Sequence, residues 1–322
     1  MNADVLAFVR RSFGEPVATA SLPGGVSSDI WRVDLPSGRV CVKRALPRLR
    51  VAQVWEAPVE RNRYERRWLQ AADAAAPGSA PKVLAWDDAR GLFAMEYLEH
   101  PVWKTLLASG EADPAVARRV GESLAAIHGA TACRDEVRAQ FPTDDIFYAI
   151  RLEPYLVATA ARHDDLKETL LALAGRTAAT KQCLVHGDVS PKNILVRREG
   201  PVFLDAECAW YGDPAFDLAF CLNHLFLKCV WVPRARAGFL ECFAALASAY
   251  LSRVAWEAPR SLEARAATLL PGLLLGRVDG KSPVEYLDEA GRARVRALAR
   301  GLLARGLDSL TMLRQAWQES ST

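Results

Sequence analysis

The sequence lacks the marks of several protein classes. Its seven cysteines (Cys41, Cys133, Cys183, Cys208, Cys221, Cys229 and Cys242) are odd in number and include no Cys-x-x-Cys pair. Neither a disulfide framework nor a zinc site is indicated, and most should be small buried apolar residues. No apolar run reaches the ~20 residues of a membrane span. The opening Met1-Asn2-Ala3-Asp4 has no basic flank leading into an apolar stretch, so it does not read as a signal peptide. A net charge of +3 over 322 residues is too small to argue for nucleic acid or an acidic membrane surface. The run Arg61, Arg63, Arg66, Arg67 reads as a solvated helix face. No repeat or low-complexity segment stands out. These absences leave a folded chain with neither nucleic acid nor membrane as partner, for which a reducing cytoplasm is the simplest home.

What is present is the composition of an ordinary folded protein, 51% hydrophobic and 25% charged. Its length exceeds most single cores and suggests two domains or lobes. Residues 3 to 13 carry Val5, Leu6, Phe8 and Val9 at helical spacing. Trp31, Val33 and Leu35 then alternate with polar residues, the period of a strand. Pro36-Ser37-Gly38 turns the chain into a partner strand over Arg39 to Arg44. Residues 56 to 76 read as a helix stopped by Pro77-Gly78. Val83 to Trp86 and Leu92 to Tyr97 read as two more strands. After Glu99 the character becomes helical: 115 to 127, most of 146 to 174, and everything from Ala215 onward, with breaks near Pro233, Pro259, Pro271 and Pro283. Between these helices lies a β-like island at 183–185, 194–196 and 202–204. The expected fold is α+β, with a small β-rich lobe over 1–98 and a larger helical lobe over 99–322. The chemistry is expected between them.

The sharpest segment is Leu184-Val185-His186-Gly187-Asp188-Val189-Ser190-Pro191-Lys192-Asn193-Ile194-Leu195-Val196. Two apolar stretches flank a loop that offers a carboxylate and, five residues on, a carboxamide. Phosphoryl transfer to a hydroxyl needs a carboxylate to orient the attacking oxygen and an oxygen ligand for Mg²⁺ close by. Asp188 suits the first task and Asn193 the second. Val202-Phe203-Leu204-Asp205-Ala206-Glu207 is an apolar strand ending in two carboxylates, which suits a hard cation. Leu22-Pro23-Gly24-Gly25-Val26-Ser27-Ser28 offers glycines and hydroxyls for close approach to phosphate, through Gly24, Gly25, Ser27 and Ser28. Lys43 on the following strand is placed to reach the α- and β-phosphates.

In this order the pieces resemble the aminoglycoside phosphotransferase and choline kinase group of small-molecule kinases, within the protein-kinase-like two-lobe fold. The Asp205-Ala206-Glu207 form is similar to choline kinase and methylthioribose kinase. It differs from the Asp-Phe-Gly of protein kinases, and no Ala-Pro-Glu anchor follows. The resemblance implies that ATP or GTP is the co-substrate and Mg²⁺ the cofactor, held by Asn193, Asp205 and Glu207. It implies a hinge at Phe93 to Leu98, where Glu96, Tyr97 and Leu98 would meet the base edge. Glu65 sits in a register that resembles the family's helix glutamate, so it is preferred as the partner of Lys43. Glu60, five residues earlier, lies about 140° around the helix and cannot face the lysine equally. Asp217 is expected to brace the catalytic loop, and His128 to be a packed structural residue.

The implied activity is phosphorylation of a hydroxyl on a small molecule, a metabolite rather than an antibiotic. A catalytically silent nucleotide- or ligand-binding module is the alternative. For the acceptor pocket the candidates are Arg151, Arg277 and Lys281. With Asp279 among them, this is not the all-acidic lining that a polycationic aminoglycoside would want.

Overall fold

The computed structural model describes residues 1–22, 28–46 and 58–320. Gly24, Gly25 and Ser27 lie outside the described residues. Helix α1 (Ala3–Phe13) starts at Asn2, whose Oδ1 accepts the Val5 N–H at 3.0 Å. It covers one face of a five-stranded antiparallel sheet of β1 (Ala18–Ser21), β2 (Ser28–Leu35), β3 (Gly38–Ala45), β4 (Val83–Asp87) and β5 (Leu92–Glu96), in the order β1-β2-β3-β5-β4. Helix α2 (Arg61–Ala75) follows β3 and covers the other face.

Strand period decides which side chain meets which helix. Val40 and Val42 point to α1, where Val5, Phe8 and Val9 meet Trp31 and Val33. Cys41 and Lys43 therefore point the other way, toward α2 and the cleft. On α2 the buried residues Glu65, Trp68, Leu69 and Ala72 form one stripe at helical spacing. The lysine and the glutamate thus face each other because a period of two meets a period of 3.6.

The rest of the chain is mainly helical. It contains α3 (Trp103–Ser109), α4 (Pro114–Thr131), the short α5 (Asp135–Arg138) and α6 (Asp144–Phe147), a π-helical stretch over Tyr148–Val157, α7 (Ala158–Ala160) and α8 (Lys167–Ala179). Two small antiparallel pairs follow, β6 (Cys183–Val185) with β9 (Trp210–Gly212) and β7 (Ile194–Val196) with β8 (Pro201–Phe203). Helices α9 (Pro214–Trp231), α10 (Arg236–Leu251), α11 (Pro259–Asp279), α12 (Glu289–Arg305) and α13 (Leu310–Glu319) complete it. Helix α9 is the hub, with every residue from Pro214 to Cys229 buried. Among the described residues no single helix is long and apolar enough to cross a membrane. Only α9 and α10 together reach that composition, across a bend of 119°.

Three expectations change. Strands β1 and β9 are four and three residues long, too short to carry a readable alternation. The helix expected from residue 56 begins, within the described residues, at Arg61. The break expected at Pro271 does not occur, because Pro271 sits inside α11 among buried leucines from Leu269 to Leu275. Burial there outweighs the roughly 3 kcal/mol that an interior proline costs. Pro259, in contrast, opens α11 in its first turn, where its missing N–H costs nothing. Six of the seven cysteines are buried and all are free thiols.

Candidate active site

The loop between β6 and β7 carries the sharpest motif, and its shape follows from three anchors. Gly187 has φ +79°, and a Cβ there would lie 2.6 Å from the Cys208 carbonyl oxygen. Only glycine suits both the dihedral and the space. Asp217, in the first turn of α9 and fully buried, accepts the N–H groups of His186 (2.7 Å) and Gly187 (2.8 Å). It also meets His128 Nε2 at 3.2 Å, and His128 Nδ1 meets the Tyr250 hydroxyl at 2.7 Å. His186 in turn locks the loop to the strand end. Its Nδ1 accepts the Asp188 N–H (3.1 Å), so Nε2 carries the proton and donates to the Leu204 carbonyl (3.0 Å). Burial lowers the His186 pKa against the pull of Asp217 and Asp188, which keeps this neutral form.

Asp188 is buried and lines the cleft. All its side-chain partners sit on Oδ2: Asn193 Nδ2 at 2.9 Å, Arg151 Nη2 at 3.0 Å and Lys192 Nζ at 3.2 Å. Among the described residues Oδ1 has no partner. Burial pushes the Asp188 pKa up, but Lys192 and Arg151 outweigh it and hold the carboxyl below its ordinary value. The group is therefore an anion at neutral pH, with one oxygen left for a hydroxyl. Because Asn193 spends Nδ2 on the Asp188 carboxylate and carbonyl (3.1 Å), its Oδ1 is the atom available to a cation.

Asp205 follows β8 with φ +65°, a left-handed conformation rare for a residue with a side chain. Strain of this kind gathers at functional sites. Its carboxylate takes Lys43 Nζ in a short contact. Lys43 also donates to Glu65 at 2.7 Å, with both side chains almost fully buried. Burial works against the Lys43 charge, but Asp205 and Glu65 outweigh it and raise its pKa. Glu60, at the start of α2, is exposed. Glu207 lines the cleft and accepts Arg61 Nε at 3.1 Å.

Asp188, Asn193, Asp205, Glu207, Lys43 and Glu65 share one cleft of about 1060 Å³ between the sheet and the helices. Glu96, Tyr97 and Leu98 line it as well. Among the described residues the Leu98 N–H and C=O take no backbone hydrogen bond. Apolar walls come from Leu22, Ile30, Cys41 and Met95. The donor set suits Mg²⁺, which takes one or two carboxylates or amide oxygens and fills its octahedron with phosphate oxygens and water. It would not cage a metal alone, since no three His, Cys, Asp or Glu side chains converge among the described residues.

Several site readings need correction or addition. Ser28 is buried within β2 and is not part of the cleft lining. Lys281 is also outside it, with its ammonium on Glu153 at 2.6 Å. Arg277 and Arg151 do line the cleft, but Arg151 is spent on Asp188 and on the carbonyls of Gly187 (2.5 Å) and Ile150 (2.6 Å). It braces the loop from the π-helical stretch, a backbone form that often marks functional sites. Arg61, read from sequence as part of a solvated face, is buried and holds Glu207. Its spacing of four from Glu65 was the signal, since that spacing puts both on one helix face. Lys192, four residues after Asp188, is a further residue of the site, and that spacing is its signal in the sequence.

A model of the phosphotransferase enzyme family matches residues 19–262. The chain belongs to that family. Among curated relatives it is similar to methylthioribose kinase of Enterobacter sp. (strain 638), 27% identical over 225 residues that cover 61% of this chain and 56% of the relative. The chain thus aligns with little more than half the length of such relatives. Among solved structures it is similar to the amicoumacin kinase hAmiN in complex with AMP-PNP, Ca²⁺ and Ami, with TM-score 0.60 and 14% identity over 96% of both chains. It is also similar to an ethanolamine kinase of Plasmodium vivax, with TM-score 0.57 and 11% identity over 95% of this chain and 86% of the other. The fold of this family member is thus the kinase-like two-lobe fold, a small antiparallel sheet followed by a mostly helical lobe.

Proposed function

We propose that this family member phosphorylates a hydroxyl of a small molecule, a metabolite rather than an antibiotic, using ATP or GTP with Mg²⁺. The carrying observation is the asymmetry of Asp188. Three donors fix Oδ2 and, among the described residues, none takes Oδ1, which is how a carboxylate is held to orient an attacking hydroxyl. In this reading Asp188 receives the acceptor proton as the hydroxyl oxygen forms its bond to the γ-phosphorus and the bond to the β–γ bridging oxygen breaks, releasing the nucleoside diphosphate. Its depressed pKa makes it an orienting anion first and a proton acceptor late. Lys43, steadied by Glu65, meets the α- and β-phosphates. The nucleotide base lies against the hinge at Glu96 to Leu98, in a lobe spanning 1–98, and the acceptor lies against the helical lobe. Asn193 Oδ1 and Asp205 would hold the metal, with Glu207 assisting from its place on Arg61. Bound Mg²⁺ would neutralise charge on the transferring phosphoryl group. The methylthioribose kinase relatives support a metabolite as acceptor.

The test is nucleotide turnover with and without Mg²⁺, together with calorimetric titration of ADP in both conditions. Mg²⁺-dependent ADP binding that weakens about tenfold or more in Asp205→Asn supports the reading. ADP binding indifferent to Mg²⁺ and to Asp205→Asn overturns it.

A further inference from the structure

Helix α9 buries one cation that nothing described so far uses. Lys228 is 1% exposed, yet it lines the cleft. Its ammonium lies 4.2 Å from the Trp231 ring centroid and 3.6 Å from that of Tyr286. Among the described residues it has neither a hydrogen-bond acceptor nor a carboxylate partner. The acid that acts on it, Glu285, is held by Lys104 from α3. Arg277 on α11 has hydrogen-bond acceptors but, among the described residues, no counter-charge. It spends Nη1 on the Tyr155 hydroxyl (3.1 Å) and the Ser282 carbonyl (2.5 Å), its buried Nε has no partner, and no carboxylate pairs with it among the described residues. The acids that might have neutralised the pair are engaged elsewhere. Asp279 is held by Arg296 (2.6 Å) and His163 (2.9 Å), and Asp213 by Arg265 (3.0 Å). Asp217 serves the catalytic loop. His224, one turn before Lys228, gives no negative charge: burial, then Arg277 and Lys228, drive its pKa well down and keep it neutral.

Unpaired cations in a sheltered wall are costly unless a ligand completes them. We propose that the acceptor carries a carboxylate or phosphate group that docks on Lys228 and Arg277 while Asp188 orients its hydroxyl. This rests on the phosphoryl-transfer reading above. Burial, Lys104 and Arg277 lower the Lys228 pKa to about 7, which marks the place as short of negative charge. The ammonium itself lies over the Trp231 and Tyr286 rings, which attract a cation but supply no formal counter-charge, so it can still take an anion from the cleft.

The experiment offers ATP and Mg²⁺ with matched acceptors: glycerate, glycerol phosphate and glycerol; gluconate and glucose; and choline as a cation. Wild type is expected to favour an anionic member over its neutral match by about tenfold or more in kcat/KM, roughly 1.4 kcal/mol. Lys228→Met keeps an unbranched side chain beside Trp231 and Tyr286 but removes the charge. It should erase that ratio through KM, and Lys228→Arg should restore most of it. A ratio unchanged in Lys228→Met, or preference for the neutral or cationic member, overturns the proposal. Glycerate against glycerol phosphate tells carboxylate from phosphate. If no member is turned over, the same compounds and inorganic phosphate are titrated into the ADP complex. Anion binding weakened about tenfold by Lys228→Met supports the proposal, and no anion binding up to about 10 mM overturns it. Loss of Mg²⁺-dependent ADP binding would count against phosphoryl transfer alone, because the anion titration repeated without nucleotide still decides this inference.

Discussion

Replacing Asp188 by asparagine changes a charge and one atom. The amide oxygen can stay on Asn193, Arg151 and Lys192, which lie 2.9, 3.0 and 3.2 Å from Oδ2. The NH₂ group then takes the place of Oδ1, and a donor meets the acceptor hydroxyl where an acceptor is required. Orientation and proton acceptance are lost together, which for a general base is worth about 10²–10⁴ in rate, or about 3–5 kcal/mol in barrier. The buried Arg151 keeps only the Gly187 and Ile150 carbonyls and a neutral oxygen. That adds a stability cost of about 1–3 kcal/mol and a melting temperature lower by a few degrees. The assay is ADP release at saturating nucleotide and acceptor, with ADP affinity measured separately by calorimetry. The expected outcome is kcat down by about 10² or more, with ADP affinity changed less than about threefold. Turnover within about threefold of wild type in Asp188→Asn would refute the assignment of the base.

The lysine's partner is tested by a contrast. Glu65→Gln should raise the nucleotide KM by about tenfold or more, because Lys43 is left to Asp205 alone, whereas exposed Glu60→Gln should change it less than about twofold; equal effects would refute the pairing. Gly187→Ala must place a Cβ 2.6 Å from the Cys208 carbonyl at φ +79°, and denaturant unfolding should show a loss of about 2–4 kcal/mol; an unchanged midpoint would refute the steric argument. With Lys228 pushed down to about 7, its ammonium is present below that pH and lost above it. The affinity of glycerate, or of whichever anionic acceptor binds, should therefore fall as pH rises past about 7, and Lys228→Arg should flatten the profile because guanidinium stays charged. The facing groups do not supply the same profile. Lys104 and Glu285 pair with each other, Arg277 is hydrogen-bonded to the Tyr155 hydroxyl and the Ser282 carbonyl, His224 is held neutral, and the buried Tyr286 hydroxyl is pushed upward.

The parts legible in the sequence are those fixed by short-range period and spacing. Alternation along β3 puts Cys41 and Lys43 on one face. Helical period on α2 separates Glu65 from Glu60. The loop from Asp188 to Asn193 is written in contiguous residues. The missed features depend on contacts distant in sequence. Arg61 looks like one of four solvated arginines until Glu207, 146 residues away, is brought to it. Lys281 looks like a pocket residue until the backbone after α11 turns it to Glu153; its N–H donates to the Pro154 carbonyl at 2.9 Å. Arg151 is close to its sequence reading in place but not in role. Lys228 does have a signal in the sequence. It is the lone Lys or Arg in the eighteen-residue helix Pro214–Trp231, where burying a charge needs a reason.

The two groups of cations in the cleft differ in what they can still do. Lys43 is shared by Glu65 and Asp205, while Lys192 and Arg151 converge on Asp188. Each of these charges is already offset, so they fix geometry more than they draw in a ligand. In the proposed reading a nucleoside triphosphate arriving there would meet carboxylates as well as cations, and would need its metal to balance them. Among the described residues Lys228 and Arg277 have no carboxylate partner, so in the proposed reading their field is open to the acceptor. A polycationic aminoglycoside would bring like charge onto them in a sheltered wall, where repulsion costs several kcal/mol. An anionic metabolite gains there what it loses by approaching Asp188 and the triphosphate. The proposed arrangement would separate two tasks, since binding the acceptor's charge at Lys228 and Arg277 would leave Asp188 free to act on its hydroxyl alone.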